Sequence, residues 1–141
     1  MPAGAVLAVL EFLRGKGFGA LMSVHGLDYY PEEPRLGVQY ELLDRDALDR
    51  LTVKLRVPVD APSVPSVTAQ WPTADHQERE VFDMFGVVFD GHPDLRRILM
   101  PEDYEGHPQR RDFPLGGEPV LFTHDESQGK DYTMGTDRPN A

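Results

Sequence analysis

The sequence predicts an α+β fold, a small and mainly antiparallel sheet with helices packed on it. Three observations carry this. Two runs alternate with period two: residues 35–43, with Leu36, Val38, Tyr40 and Leu42 on one face, and residues 50–59, with Leu51, Val53, Leu55 and Val57 opposed by Thr52, Lys54 and Arg56. A helical stripe of Val6, Leu7, Leu10 and Leu13 precedes them. A second helical stripe, Glu78, Val81, Phe82 and Phe85 at i, i+3, i+4 and i+7, follows them. At 141 residues the chain is sized for one core, and such elements bury their apolar faces most simply as a helix layer on a sheet layer.

In chain order, residues 5–16 form an amphipathic helix stopped by Gly15 and Gly17. Residues 18–30 are rich in aromatic and apolar residues and read as a strand entering a turn at Pro31 to Pro34. The alternating runs, joined by residues 44–49, read as an antiparallel hairpin with one wet face. Residues 61–67 are a Pro- and Ser-punctuated linker, followed by a short helical piece over 67–71 that Pro72 halts. Thr73 or Asp75 then caps the helix centred on Glu78-Arg79-Glu80-Val81-Phe82-Asp83-Met84-Phe85, which Gly86 closes. Arg79 and Asp83 are i, i+4 neighbours on its flank. Two readings of Glu78 stand. With Asp75 it has capping-box spacing, which makes it a first-turn carboxylate; in line with the apolar stripe, it takes a buried pairing role.

After the brief extended run 87–89 the periodicity ends. Two Gly-His-Pro tripeptides, 91–93 and 106–108, are each followed by an Arg-Arg pair, Arg96-Arg97 and Arg110-Arg111, among Leu95, Ile98, Leu99, Met100 and Phe113. Arginine beside aliphatic and aromatic anchors has the composition of a protein interface. The chain is therefore divided into an α+β domain over 1–89 and an extended partner-binding segment and tail over 90–141. From Gly116 onward, Val120, Leu121, Phe122 and Tyr132 are scattered apolar points in a polar stretch.

The balance is acidic, formally −10, which argues against general nucleic-acid binding and against an anionic membrane surface. No apolar run approaches the ~20 residues of a membrane-spanning helix. With no cysteine, thiolate chemistry and cysteine-held zinc or iron–sulfur sites are excluded within these 141 residues. His76, Glu80 and His92, with His107 and Asp112, supply metal-ligand residue types but not the HExxH order. Glu102, Asp103 and Glu105 could serve acid–base chemistry, yet a solvated acidic turn beside arginines is the simpler reading. No phosphate loop, nucleophile elbow or dinucleotide fingerprint is present. No residue is assigned to catalysis, cofactor binding or metal binding.

Glu78-Arg79-Glu80-x-x-Asp83-Met84-Phe85 followed by His92-x-x-x-Arg96-x-Ile98 resembles the signature of the C-type subunit of NADH-quinone oxidoreductase, the thirty-kilodalton subunit of respiratory complex I. Gly91-His92-Pro93-Asp94-Leu95-Arg96-Arg97-Ile98-Leu99 and Gly106-His107-Pro108-x-Arg110-Arg111-Asp112-Phe113-Pro114-Leu115 are similar to that family, as are Gly26-Leu27-Asp28-Tyr29 and Pro65-Ser66-Val67-Thr68-x-x-Trp71. The resemblance implies an α+β domain with no cofactor of its own, FMN and iron–sulfur clusters being held by partner subunits. It implies a peripheral place on the cytoplasmic face of the bacterial cell membrane, reached through partners. Its long C-terminal stretch would pack on the hydrogenase-like, D-type subunit of the quinone cavity, in a proton-translocating enzyme. Carried over as motif and interface positions are Glu78, Arg79, Glu80, Asp83, Phe85, His92, Asp94, Arg96, His107, Arg110, Arg111, Asp112 and Phe113. Family members usually have a further strand before the first helix, and none is encoded between Met1 and that helix here. Two alternatives are kept: the equivalent subunit of a membrane-bound hydrogenase or formate hydrogenlyase, and a metal-dependent hydrolase built on His76, Glu80 and His92.

Overall fold

In the computed structural model, residues 3–114 are described. A 3-10 turn, Ala3–Ala5, leads into helix α1, Val6–Gly15, whose Val6 and Leu10 are wholly buried. Strands β1 (Ala20–Asp28), β2 (Leu36–Asp44) and β3 (Asp49–Val57) form an antiparallel meander in that spatial order. The register places Leu21, Val24, Leu36, Val38, Tyr40, Leu42, Val53, Leu55 and Val57 on one face, which is the core. On the other face Thr52 Oγ1 donates across the hairpin to Glu41 Oε2 at 2.8 Å. The alternation seen in the sequence thus becomes one dry and one wet face.

The expected linker contains structure of its own. Strand β4, Ser63–Pro65, pairs in parallel with strand β5, Val88–Asp90, across helix α2, Ala74–Phe85. Three residues per strand are too few to show alternation, so nothing in the sequence separates this pair from an extended linker. The piece at 67–71 is a single turn, closed by Trp71 N–H on the Val67 carbonyl at 2.9 Å, rather than a helix. Buried Trp71 donates from its indole to the Gly19 carbonyl at 2.9 Å, linking this turn to the start of β1.

Helix α2 packs along β1, where Phe85 lies against Gly26; a Cβ at that position would collide with the ring. Gln77 Oε1 accepts the Val24 N–H at 2.6 Å, so α2 also serves a backbone donor of β1. Gly86 ends the helix in the left-handed conformation (φ 78°), as the sequence predicts for a closing glycine. The expected side-chain N-cap is not formed. Thr73 is helical and makes no capping bond, and the first N–H groups reach the Trp71 and Pro72 carbonyls instead.

Candidate functional site

The residues singled out by the sequence gather around α2, and two buried carboxylates on that helix organise them. The first is Glu78, wholly inaccessible to solvent. Its Oε1 accepts the Val67 N–H at 2.8 Å and its Oε2 the Ser66 hydroxyl at 2.7 Å. This decides between the two sequence readings: Glu78 is a buried partner of the segment after β4, not a cap. Burial pushes its carboxyl above the usual range, against the opposing pull of Val67, Ser66 and His92. In the core, the Tyr40 hydroxyl has no hydrogen-bond partner among the described residues. Burial first, and the Glu78 charge second, push that phenol up as well.

His92 closes the same cluster. Its Nδ1 accepts the Asp94 N–H at 3.0 Å, which leaves the ring proton on Nε2. That N–H is directed at the Asp75 carbonyl, 3.1 Å away. Asp75 Oδ1, at 3.2 Å, and Glu78 Oε2, at 3.9 Å, are ion-pair neighbours of the same nitrogen rather than aligned acceptors. Both ring nitrogens are thus engaged. His76 and Glu80, the other two members of the hydrolase constellation, are exposed. Among the described residues no group of three or more His, Cys, Asp or Glu is placed to hold a metal ion.

The second carboxylate, Asp83, is also fully buried. Its Oδ2 accepts three consecutive backbone N–H groups, from Ile98 (3.1 Å), Leu99 (2.8 Å) and Met100 (2.9 Å). Its Oδ1 pairs with Arg97 Nη1 at 2.6 Å. Burial pushes this carboxyl up, but the donors outweigh burial and the net displacement is downward. The expected Arg79–Asp83 pair on the helix flank does not form. Arg79 reaches forward to the Arg96 and Arg97 carbonyls, both at 3.1 Å, because Asp83 points inward to the loop.

A helix ends with carbonyls that lack partners and with the negative pole of its dipole. Here the loop supplies both the donors and the positive charge. The Asp83 carbonyl accepts from Arg97 Nη1 (3.2 Å) and His107 Nδ1 (3.0 Å), that of Met84 from the Gln109 N–H (3.1 Å), and that of Phe85 from Arg110 Nε (2.7 Å). His107 is displaced downward, by burial first and by the adjacent Arg110 and Arg97 charges. Gly86 sits beneath this arrangement: an added Cβ would come within 2.5 Å of both Arg110 Nη2 and His107 Nε2.

The second Gly-His-Pro block then returns to the sheet. Arg35, at the start of β2, is held between Asp28 (Nη2 to Oδ2, 2.8 Å) and Asp112 (Nη2 to Oδ1, 2.5 Å), and the Arg111 N–H donates to Asp28 Oδ2 at 2.8 Å. The Arg35 guanidinium holds both carboxyls below their usual range. Phe113 stacks on Tyr104 with ring centroids 6.3 Å apart. Of the carried-over positions, Glu80, Asp94, Arg96, Arg111 and Asp112 are exposed, with Arg96 paired to Asp94 at 2.8 Å and Glu102 at 3.8 Å. Glu102, Asp103 and Glu105 are all exposed. Leu115 and the apolar points at 120–122 and 132 lie outside the described residues.

Residue reasoning missed Arg97, Arg35, Asp28 and Ser66 as site members. Arg97, Asp28 and Ser66 lie inside the stretches that carry the family resemblance. Arg35 gave no signal of its own, since an arginine heading a strand is ordinarily solvated.

The charged loop folded onto the helix and sheet completes an α+β module, and comparison with known proteins identifies its family. The profile of the family described as "Respiratory-chain NADH dehydrogenase, 30 Kd subunit" matches residues 1–119. The chain is 48% identical over 126 residues to the C-type subunit of NADH-quinone oxidoreductase from Roseiflexus sp. (strain RS-1), covering 87% of this chain and 72% of that one. It is 56% identical over 106 residues to the C-type subunit of the same enzyme from Saccharopolyspora erythraea, covering 74% of this chain and 43% of the relative. Among solved structures, a trypsin-resistant fragment of Nqo5 superposes with a TM-score of 0.63 at 36% identity, over 67% of this chain and 79% of that one. A chain of the membrane-bound sulfane sulfur reductase, an archaeal respiratory membrane complex, gives 0.75 at 27% identity, over 92% and 81%. The chain belongs to the 30 Kd subunit family, the C-type subunits of the NADH:quinone oxidoreductase peripheral arm. No helix among the described residues is long and apolar enough to cross a membrane.

Proposed function

We propose that the chain is a non-catalytic peripheral-arm subunit of a proton-translocating NADH:quinone oxidoreductase that holds the hydrogenase-like, quinone-cavity subunit in place. The match of the family profile over residues 1–119 carries this reading. The folded loop 91–114 supports it, because it fixes an outward surface whose inner side is already occupied by α2 and the sheet. FMN and iron–sulfur clusters reside in partner subunits, in keeping with a chain that has no cysteine to offer a cluster. The subunit then sits on the cytoplasmic face of the bacterial membrane, attached through its partners.

The superposition on the sulfane sulfur reductase chain favours a second reading, the equivalent subunit of a related membrane-bound complex such as a hydrogenase or formate hydrogenlyase. A tagged pull-down of the full chain from its native membranes, with subunits identified by mass, tests both. Recovery of a hydrogenase-like large subunit with flavin-bearing and iron–sulfur subunits is the expected result. Recovery with a nickel-site subunit and no flavin subunit selects the second reading, and recovery of the chain alone overturns both.

A further inference from the structure

Asp83 engages only the backbone N–H groups of residues 98–100. Helix capping therefore places no demand on the side chains there, and a turn that did nothing else would be expected to carry polar ones. The residues are instead Ile98, Leu99 and Met100, with Ile98 37% and Leu99 59% exposed. Two other exposed aromatic side chains differ in kind, since Phe12 and Tyr30 lie beneath the Lys16 and Arg35 cations.

The turn is also fixed. Three N–H groups converge on one buried oxygen, Arg97 binds the other oxygen, and Arg97 Nη2 reaches the Gly106 carbonyl at 2.8 Å, joining the two legs of the loop. A pair of aliphatic side chains on so constrained a backbone loses little further conformational freedom on docking. The exposed charged side chains that flank them in sequence are mainly acidic, Asp94, Glu102, Asp103 and Glu105, with Arg96 paired to the first two.

We infer that Ile98 and Leu99 form a docking knob that enters an apolar socket rimmed by Lys or Arg on a partner subunit of the complex. This rests on the proposed function and names the residues that make the contact. Charge selects the occupant. A second copy of this chain, formally −10, would set acid against acid, and residues 115–141, with Glu118, Asp125, Glu126, Asp131 and Asp137 against Lys130 and Arg138, would do the same.

The test uses the full tagged chain expressed in its native host. Ile98→Ala/Leu99→Ala should lower recovery of the co-purifying complex at least tenfold while lowering the thermal midpoint of the isolated chain only slightly, and Leu99→Ala alone, at the more exposed position, should lower recovery with the midpoint unchanged. Glu102→Gln/Asp103→Asn should weaken recovery less and flatten its dependence on salt. A photo-crosslinking residue at position 99 should give an adduct with a peptide of a co-purifying subunit that carries apolar residues beside Lys or Arg. Undiminished recovery by the alanine double variant overturns the knob and leaves the proposed function standing. So does an adduct to a second copy or to residues 115–141. Failure of the wild-type chain to recover any complex overturns the proposed function and the knob together.

Discussion

The three-stranded meander and the loop 91–114 are both well ordered by their contacts, but different physics holds each. In β2 and β3, Leu36, Val38, Tyr40, Leu42, Val53, Leu55 and Val57 are removed from water and stack across strands, a non-directional force summed over area. The loop puts Leu95 partly against the core and stacks Phe113 on its own Tyr104, and its position is otherwise set by directed bonds. These are the Asp83 carboxylate on three N–H groups, the helix-end carbonyls on Arg97, His107, Gln109 and Arg110, and Asp112 on Arg35. An apolar face tolerates a shape change at moderate cost. A buried charge that loses its partner does not, because the partner left behind has no water to turn to. The loop should therefore be the more fragile region to single polar changes and the sheet the more fragile to truncation of aliphatic side chains.

The largest separation is expected from Asp83→Ala. It strands the Arg97 guanidinium, 13% exposed, together with three amides, and should cost about 3–5 kcal/mol. Its signature is regional: hydrogen exchange at the amides of 98–100 should rise to near the unstructured rate while those of residues 38–42 keep their protection until global unfolding. Leu42→Ala, costing about 2–5 kcal/mol, should instead lower protection throughout the meander. Equal loss in both regions for both variants would erase the distinction between them.

The same difference explains which parts of the fold were legible. Periods of 2 and 3.6 are set by burial, so the meander, α1 and α2 could be read from Leu36 to Val57, Val6 to Leu13, and Val81 to Phe85. Gly86 as a stop follows from its backbone freedom. Directed bonds leave no period. Asp83 taking three N–H groups from residues 15 to 17 positions later, or Arg35 joining Asp28 to Asp112 77 positions away, has no local trace. The resemblance to a known family therefore marked positions in the loop that periodicity could not. It pointed to Glu78 and Asp83 without giving their partners. Parallel pairing of β4 with β5 escaped for the same reason, as its two short strands lie on either side of a whole helix.

A smaller effect is expected from Gly86→Ala, which acts where the two regions meet. The residue sits at φ 78°, and the new Cβ would press on Arg110 and His107. A cost of roughly 1–3 kcal/mol follows from the backbone alone. Displacement of His107 and Arg110 should show as increased exchange at the amide of Gln109, which caps Met84. Chemical denaturation with exchange read at Gln109 checks both. A loss of stability without that local change would mean that the strain is absorbed within α2.

The smallest effect and the sharpest contrast come from the two carboxylates of α2, whose displacements have opposite sign. Asp83 lies below its unfolded value, so its contribution to stability is complete above the ordinary aspartate range and is lost as pH falls below about 4. Glu78 lies above its unfolded value. The native state then binds the extra proton, and stability declines as pH rises from about 4.3 toward the raised value. Glu78→Gln retains an oxygen for the Val67 N–H and removes the buried charge, so at neutral pH the net change should stay within about 1 kcal/mol. What should change is the slope: His107, displaced downward, raises the stability of both chains as pH rises, so urea midpoints followed from pH 4 to pH 8 should fall for the wild type relative to Glu78→Gln, while both fall alike below pH 4 as Asp83 protonates. Parallel profiles across the upper range would show that Glu78 titrates in the folded chain as it does in the unfolded one, and that its burial is offset in full by Ser66, Val67 and His92.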